Sequence, residues 1–376
     1  GVLSSLPNLL GITAATTVVL TLVLVVTKLA HREILRWQGT RSAHYLAAIG
    51  EMLSRRMVPQ SVPRSWATDP IFWDALAEYR LLVTGTDRNH IDRLATQIGV
   101  HRALVERSRR RFPSGRRLRA VARLADLATP LQRHHLRGLL DDPSPQIRTQ
   151  VVRGLARLRD IESIPPILDL ARRAEPWEAA RTADAVVPMG FQATRAVCDW
   201  VEQEMKRPDG SEETVTLAAR ILRSIGDPEA EPTLLALLKS PNPEWRVAAA
   251  SGLERTGGPN ALEPLLEAID DHSWKVRARA AIALGAIGGP GVARALAGLL
   301  YDPVWWVRQN AASALSDLPG GIDHLIAALD GPDPYAADTA LNQLTTSGVL
   351  AEATERVRSG VASDRERLLA ALAAAS

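Results

Sequence analysis

Asp302 to Leu315 reads DPVWWVRQNAASAL: an aspartate-proline turn, two adjacent tryptophans, an arginine, and an alanine-rich run that ends in leucine. Spacing decides which of these residues belong to architecture. Arg246, Arg277 and Arg308 stand 31 residues apart, and Leu253, Leu284 and Leu315 follow seven residues after each. The segments they bound, RVAAASGL, RARAAIAL and RQNAASAL, are copies of one template. The same pair occurs earlier as Arg117 with Leu124 and Arg148 with Leu155, again 31 apart. A fixed period of this length is the signature of a repeat architecture.

Outward from the template, each copy runs into a break (RTGGPN, GAIGGPG, DLPGG) and then a second apolar stretch (LEPLLEAID, VARALAGLL, IDHLIAALD). Val307, Ala311, Leu315 and Leu318 keep the three-to-four spacing of one helix face, so each unit is predicted to be a helical hairpin turned by Gly or Pro. Such a hairpin cannot bury its apolar face alone and must stack on its neighbours, and small alanines permit a close approach. Asp142-Pro143 and Asp302-Pro303 place a capping carboxylate before a proline whose missing N–H costs nothing in a first turn. Asp142, Asp271 and Asp302 each precede a repeat arginine by six residues, which predicts a ladder in which each arginine meets carbonyls or an aspartate of the adjacent hairpin.

These units resemble HEAT repeats, in the short form called PBS-lyase HEAT-like repeats, whose pattern is roughly D-P-x-W-x-V-R-x-x-A-A-x-A-L-G-x-I-G. DHSWKVRARAAIALGAIG and DPVWWVRQNAASALSDLPG match it nearly throughout. The match is strong over 141–171 and 241–330, recognisable over 113–140, and degenerate over 172–240 and 331–376, where Val215 stands at the arginine position. The resemblance implies an all-α chain with an α-solenoid of about seven to eight HEAT-like hairpins over 113–376. It also implies a non-catalytic role in holding a protein partner. Some short HEAT-like proteins resemble bilin lyase subunits, which leaves an enzyme as a further alternative.

Within the template, Arg117, Arg148, Arg246, Arg277 and Arg308 are structural repeat positions, and Trp305 shares its place with Trp274. The equivalents of Trp306 are Lys275 and Glu244, so the period gives this second tryptophan no architectural task. Trp306 is therefore a candidate partner contact, and Trp245 is a second.

From Gly1 to Thr27 no side chain is charged, and Leu9–Thr27, as a helix, would span roughly 28 Å, close to the hydrocarbon thickness of a bilayer. Lys28, Arg32, Arg36 and Arg41 follow at once. The expectation is a single-pass anchor over 1–30, with the repeats on the cytoplasmic side of a bacterial inner membrane. Gly11 and Ala15, with Thr13, Thr17 and Thr21 every four residues, mark a face suited to packing on another membrane helix. An integral membrane protein is then the expected partner, for example a polysaccharide-synthesising glycosyltransferase. Residues 31–112 read as a helical, basic membrane-proximal region.

The formal net charge of +3 hides an asymmetry: residues 1–137 hold 21 Lys and Arg against 9 Asp and Glu, and the remainder 24 against 33. The densest run is ERSRRRFPSGRRLRAVAR, from which Arg107, Arg109, Arg110, Arg111 and Arg116 are candidate contacts, beside Arg119 and Arg123. Such a run fits an anionic lipid surface or an acidic protein, with nucleic acid as the alternative; the single aromatic Phe112 and the acidic rear half disfavour the last. No catalytic, cofactor or metal residues are nominated. The eight histidines form no HExxH, no GxxxxGK[ST] or GxGxxG is present, and a lone Cys198 excludes a cysteine-based zinc site.

Overall fold

The computed structural model describes residues 28, 36–54, 62–109, 114–208 and 210–375. The chain divides into two compact units between Leu139 and Leu140. Both are helical.

The first unit contains α1 over 36–54, α2 (Pro70–Leu82), α3 (Gly85–Ile98), α4 (Val100–Arg109), α5 (Ser114–Leu127) and the short α6 (Arg133–Arg137). Its core gathers Ile49, Phe72, Trp73, Leu76, Ile91, Leu104 and Leu124, all fully buried or nearly so. Asp69 starts α2 by accepting the Ile71 N–H at 2.9 Å, with Pro70 at the first helical position. The same carboxylate accepts the Tyr45 hydroxyl at 2.6 Å and pairs with Arg41 at 2.7 Å, so a helix cap also ties α1 to α2. The segment 113–140, expected as the first solenoid repeat, packs through α5 onto α2 and α4 of this unit.

The expected transmembrane helix is corrected here. No helix among the described residues is long and apolar enough to cross a membrane. The stretch Leu9–Thr27, with Gly11, Thr13, Ala15, Thr17 and Thr21, lies outside the described residues. The inner-membrane, cytoplasm-facing placement rested on that helix and falls with it.

The second unit is a stack of hairpins. Its first helices are α7 (Pro145–Arg157), α9 (Pro176–Val186), α11 (Glu212–Ile225), α13 (Pro243–Thr256), α15 (Trp274–Ile287), α17 (Trp305–Asp317) and α19 (Pro334–Thr346). They alternate with α8 (Ile164–Arg173), α10 (Phe191–Met205), α12 (Glu231–Leu238), α14 (Leu262–Ala268), α16 (Val292–Gly298), α18 (Gly321–Leu329) and α20 (Val349–Arg358), and α21 (Asp364–Ala375) packs on α20. Each first helix packs on the next first helix, most closely from α11 to α17. Alanine is the reason. Ala280, Ala281, Ala283 and Leu284 of α15 are completely buried, and a Cβ added at Gly285 would come within 2.6 Å of Ala314 Cβ on α17. The hairpins continue through 172–240 and 331–358, where the sequence template is degenerate.

The arginine ladder forms, and it uses both of the expected partners at once. Arg277 Nη1 donates backwards to Asp271 O at 2.9 Å, the turn before its own helix, while Nε and Nη2 grip Asp302 of the next unit at 2.7 and 3.0 Å. Arg246 repeats this with Ser240 O at 2.9 Å and Asp271 at 2.7 and 2.8 Å. Asp302 and Asp271 in turn accept the N–H groups of Val304 and Ser273, both at 2.8 Å, so each aspartate closes a turn and binds the preceding unit. Arg148 keeps the backward bond to Asp142 O at 2.8 Å but takes Glu178 as its carboxylate, at 2.8 and 2.6 Å. Glu178 is buried at the place on α9 that Ile147 occupies on α7. Val215, where the period called for arginine, is completely buried.

At Arg308 the ladder ends. Its Nη1 still donates to Asp302 O at 2.8 Å, but its Nε is buried without a hydrogen-bond partner. The first helices start 31 residues apart from α11 to α17, whereas α19 starts 29 after α17. The shortening puts Gly331 where Asp302 stood. Asp333 moves onto the cap of α19, where it accepts the Tyr335 N–H at 2.8 Å, and the Tyr335 ring covers the Arg308 guanidinium at 5.4 Å.

Candidate interaction surface

The first turns of α13, α15, α17 and α19 lie in register along one edge of the stack. Pro243, Trp274, Trp305 and Pro334 occupy their first positions, and Glu244, Lys275, Trp306 and Tyr335 their second. Neighbouring second positions touch: Lys275 Nζ donates to Glu244 Oε1 at 2.5 Å. The row therefore runs from an ion pair into two aromatic rings. Trp306 is 56 % exposed and Tyr335 67 %, while Trp305 and Trp274 are 48 and 39 % exposed. The Trp305 and Trp306 rings meet edge to face, centroids 4.6 Å apart at 74°. Lone exposed apolar side chains are ordinary on a protein surface; four large aromatics on successive first turns are a patch.

The edge-to-face pairing fixes each indole against the other, so a partner meets a preformed aromatic surface with little ordering left to do. Tryptophan and tyrosine are also the residues most enriched at the energetic centres of protein interfaces. Trp305 belongs to the surface as much as Trp306, although the template accounts for its position. Tyr335 was missed in the sequence because the two-residue shortening takes it out of the 31-residue register.

Trp245 lies elsewhere. It is 8 % exposed, its place on α13 is that of the fully buried Val276 and Val307, and its ring packs over Gly210. The 31-residue offset already aligned Trp245 with these valines, and that signal identifies it as a core residue.

Four arginines of the run make contacts within the first unit. Arg107 lies over the buried Trp73 ring at 5.4 Å, and Arg117 Nε donates to Ser108 O at 2.7 Å. Asp74 pairs with both Arg119 and Arg123, the latter at 2.5 Å, and Arg123 also reaches Asp126 at 2.7 Å. Arg109 and Arg116 are exposed, and Arg110 and Arg111 lie outside the described residues. Burial pushes the His135 imidazole below its ordinary range, with nearby Arg109 adding to the effect, and Nε2 lies 2.7 Å from Ser108 Oγ. Cys198 is buried, and burial raises its thiol pKa. Among the described residues no three His, Cys, Asp or Glu side chains gather as a metal site.

Residues 199–273, 237–316 and 262–345 match the family of HEAT repeats. No curated protein matches the chain. Among solved structures, an engineered protein is 20 % identical with a TM-score of 0.35, covering 82 % of this chain and 95 % of its own. Human deoxyhypusine hydroxylase, solved with glycerol, is 20 % identical at a TM-score of 0.28, covering 69 and 98 %. Importin beta is 14 % identical at 0.47, covering 86 % of this chain and 52 % of its own. The stacked hairpins of α11 to α19 fall in these matched segments and are HEAT repeats.

Proposed function

We propose that the second unit is a non-catalytic scaffold that holds a protein partner along the first-turn edge of α15, α17 and α19. One observation carries the reading: the edge-to-face Trp305–Trp306 pair, half exposed on the stack, with exposed Trp274 and Tyr335 on the neighbouring first turns. A solenoid presents long surfaces whose contact residues are free of any packing task, and Trp306 is such a residue. The expected glycosyltransferase complex leaned on the anchor and is not part of the proposal. Lipid or nucleic-acid binding through the 107–123 run is disfavoured, because four of its arginines already serve internal contacts.

The test compares tagged wild type with a Trp305→Ser/Trp306→Ser double variant in cells of the source organism, using crosslinking and quantitative mass spectrometry. A discrete protein held by the wild type and lost from the double variant is the expected result. Identical interactors for both, or none for either, refutes the edge as the binding surface.

A further inference from the structure

The first helices α7 and α9 leave between them an open cleft of about 570 Å³, a volume typical of small-ligand pockets. Its walls are two stripes at helical spacing. Gln150, Arg153 and Arg157 come from α7, Arg181 and Asp184 from α9, and Arg159 from the turn after α7. Four arginines and one carboxylate thus line the cleft, and Asp184 itself lies 3.7 Å from Arg220. The groove is open because α7 carries Gln150 and Arg153 where α13 carries the small Ala248 and Ser251.

One detail marks the cleft as built. Arg159 has φ of +49°, the sole non-glycine residue with positive φ among the described residues. In the units of α11 and α15 the same turn position is glycine, Gly226 and Gly288, with φ of +71° and +66°. A side chain in this left-handed region is disfavoured, so an arginine here holds a cation at the cleft against a local backbone cost.

We propose that this cleft binds a small phosphorylated molecule with at least two adjacent negative charges, of which a nucleoside diphosphate is representative. Guanidinium forks match phosphoryl oxygens bidentately, and a diphosphate brings concentrated charge to a cleft lined by Arg153, Arg157, Arg159 and Arg181. The site lies on different helices from the tryptophan edge and stands independently of it.

The test is isothermal titration of the full chain with pyrophosphate and with ADP. Saturable binding is expected for both, weakening as salt rises. Arg159→Gly is the decisive variant, because it removes a guanidinium while relieving the backbone. It is expected to melt no lower than wild type and to bind about tenfold more weakly, the effect of one lost charge-assisted hydrogen bond. Arg181→Ser is expected to weaken binding similarly, and Arg279→Ser, an exposed arginine outside the cleft, to leave it unchanged. ADP binding more tightly than pyrophosphate assigns the site to an organic phosphate; equal affinities assign it to the phosphoryl group alone. No binding of either ligand at millimolar concentration in low salt overturns the proposal, as does binding that Arg159→Gly and Arg181→Ser leave intact.

Discussion

Asp302→Ala isolates what the ladder contributes. The Asp302 carboxylate is 6 % exposed and performs two tasks: it caps the turn before α17 through the Val304 N–H at 2.8 Å and pairs with Arg277 at 2.7 and 3.0 Å. Losing a side-chain cap costs about 1 kcal/mol. Leaving the Arg277 guanidinium, 15 % exposed, without its counter-charge costs roughly 2–3 kcal/mol, less than the full penalty of a deeply buried ion because Nη1 keeps Asp271 O at 2.9 Å. The expected loss is therefore about 3–4 kcal/mol. Asp302→Asn keeps the cap oxygen and should lose about 2–3 kcal/mol, whereas Asp333→Ala, which removes a cap and no ion pair, should lose only about 1 kcal/mol. Urea unfolding followed by circular dichroism gives the totals. Hydrogen exchange places them, since repeat stacks lose stability locally. An Asp302→Asn variant within 0.5 kcal/mol of wild type, by roughly the usual scatter of neutral surface changes, refutes the ladder as an energetic element.

Gly285→Ala should destabilise by about 1–2 kcal/mol despite alanine's better helix propensity, because the new Cβ meets Ala314 at 2.6 Å; a compensating Ala314→Gly should restore part of the loss in the same urea assay. Trp306→Ala should change stability by less than about 0.5 kcal/mol, since the ring is mostly exposed, and a drop of 2 kcal/mol, roughly what a core residue loses, would make it part of the core instead. The first unit should lose stability in acid. Burial holds the His101 imidazole below its ordinary value of 6.5, with Nε2 2.8 Å from Leu127 O, so the unfolded chain binds a proton there that the folded chain resists. Stability then falls as pH drops below 6.5 toward the lower folded value, and His101→Gln should flatten the pH dependence of melting between pH 7.5 and 5; an unchanged slope would remove His101 as its source.

The solenoid was legible because its determinants are local and repeated. The 31-residue offset, the alanine-rich first helices and the Asp-six-Arg spacing each depend on residues close in sequence or on copies of themselves. The ladder followed from that spacing alone. Trp306 was legible for the opposite reason, as a side chain that the period leaves unexplained, and the structure places it in the open. Trp245 was nominated from residue type, against its own alignment with Val276 and Val307, and it packs in the core. Charge density was a mixed guide: Arg109 and Arg116 are exposed, whereas Arg107 lies over the buried Trp73 ring and Asp74, remote in sequence, engages Arg119 and Arg123.

By itself, then, the sequence determined the helical hairpins, their stacking and the arginines that bind one unit to the next, because periodic apolar spacing and turn chemistry act over a few residues. Only the tertiary structure decided which arginines are available and where the ladder stops. Two residues missing before α19 rotate Asp333 onto a helix cap, set Tyr335 over Arg308, and extend the tryptophan edge by one more ring. It also opened the α7–α9 cleft, whose polar side chains are drawn from two helices and a turn. Such convergence depends on how closely neighbouring helices approach, a distance set by side-chain volume at the interface and carried by no single stretch of sequence.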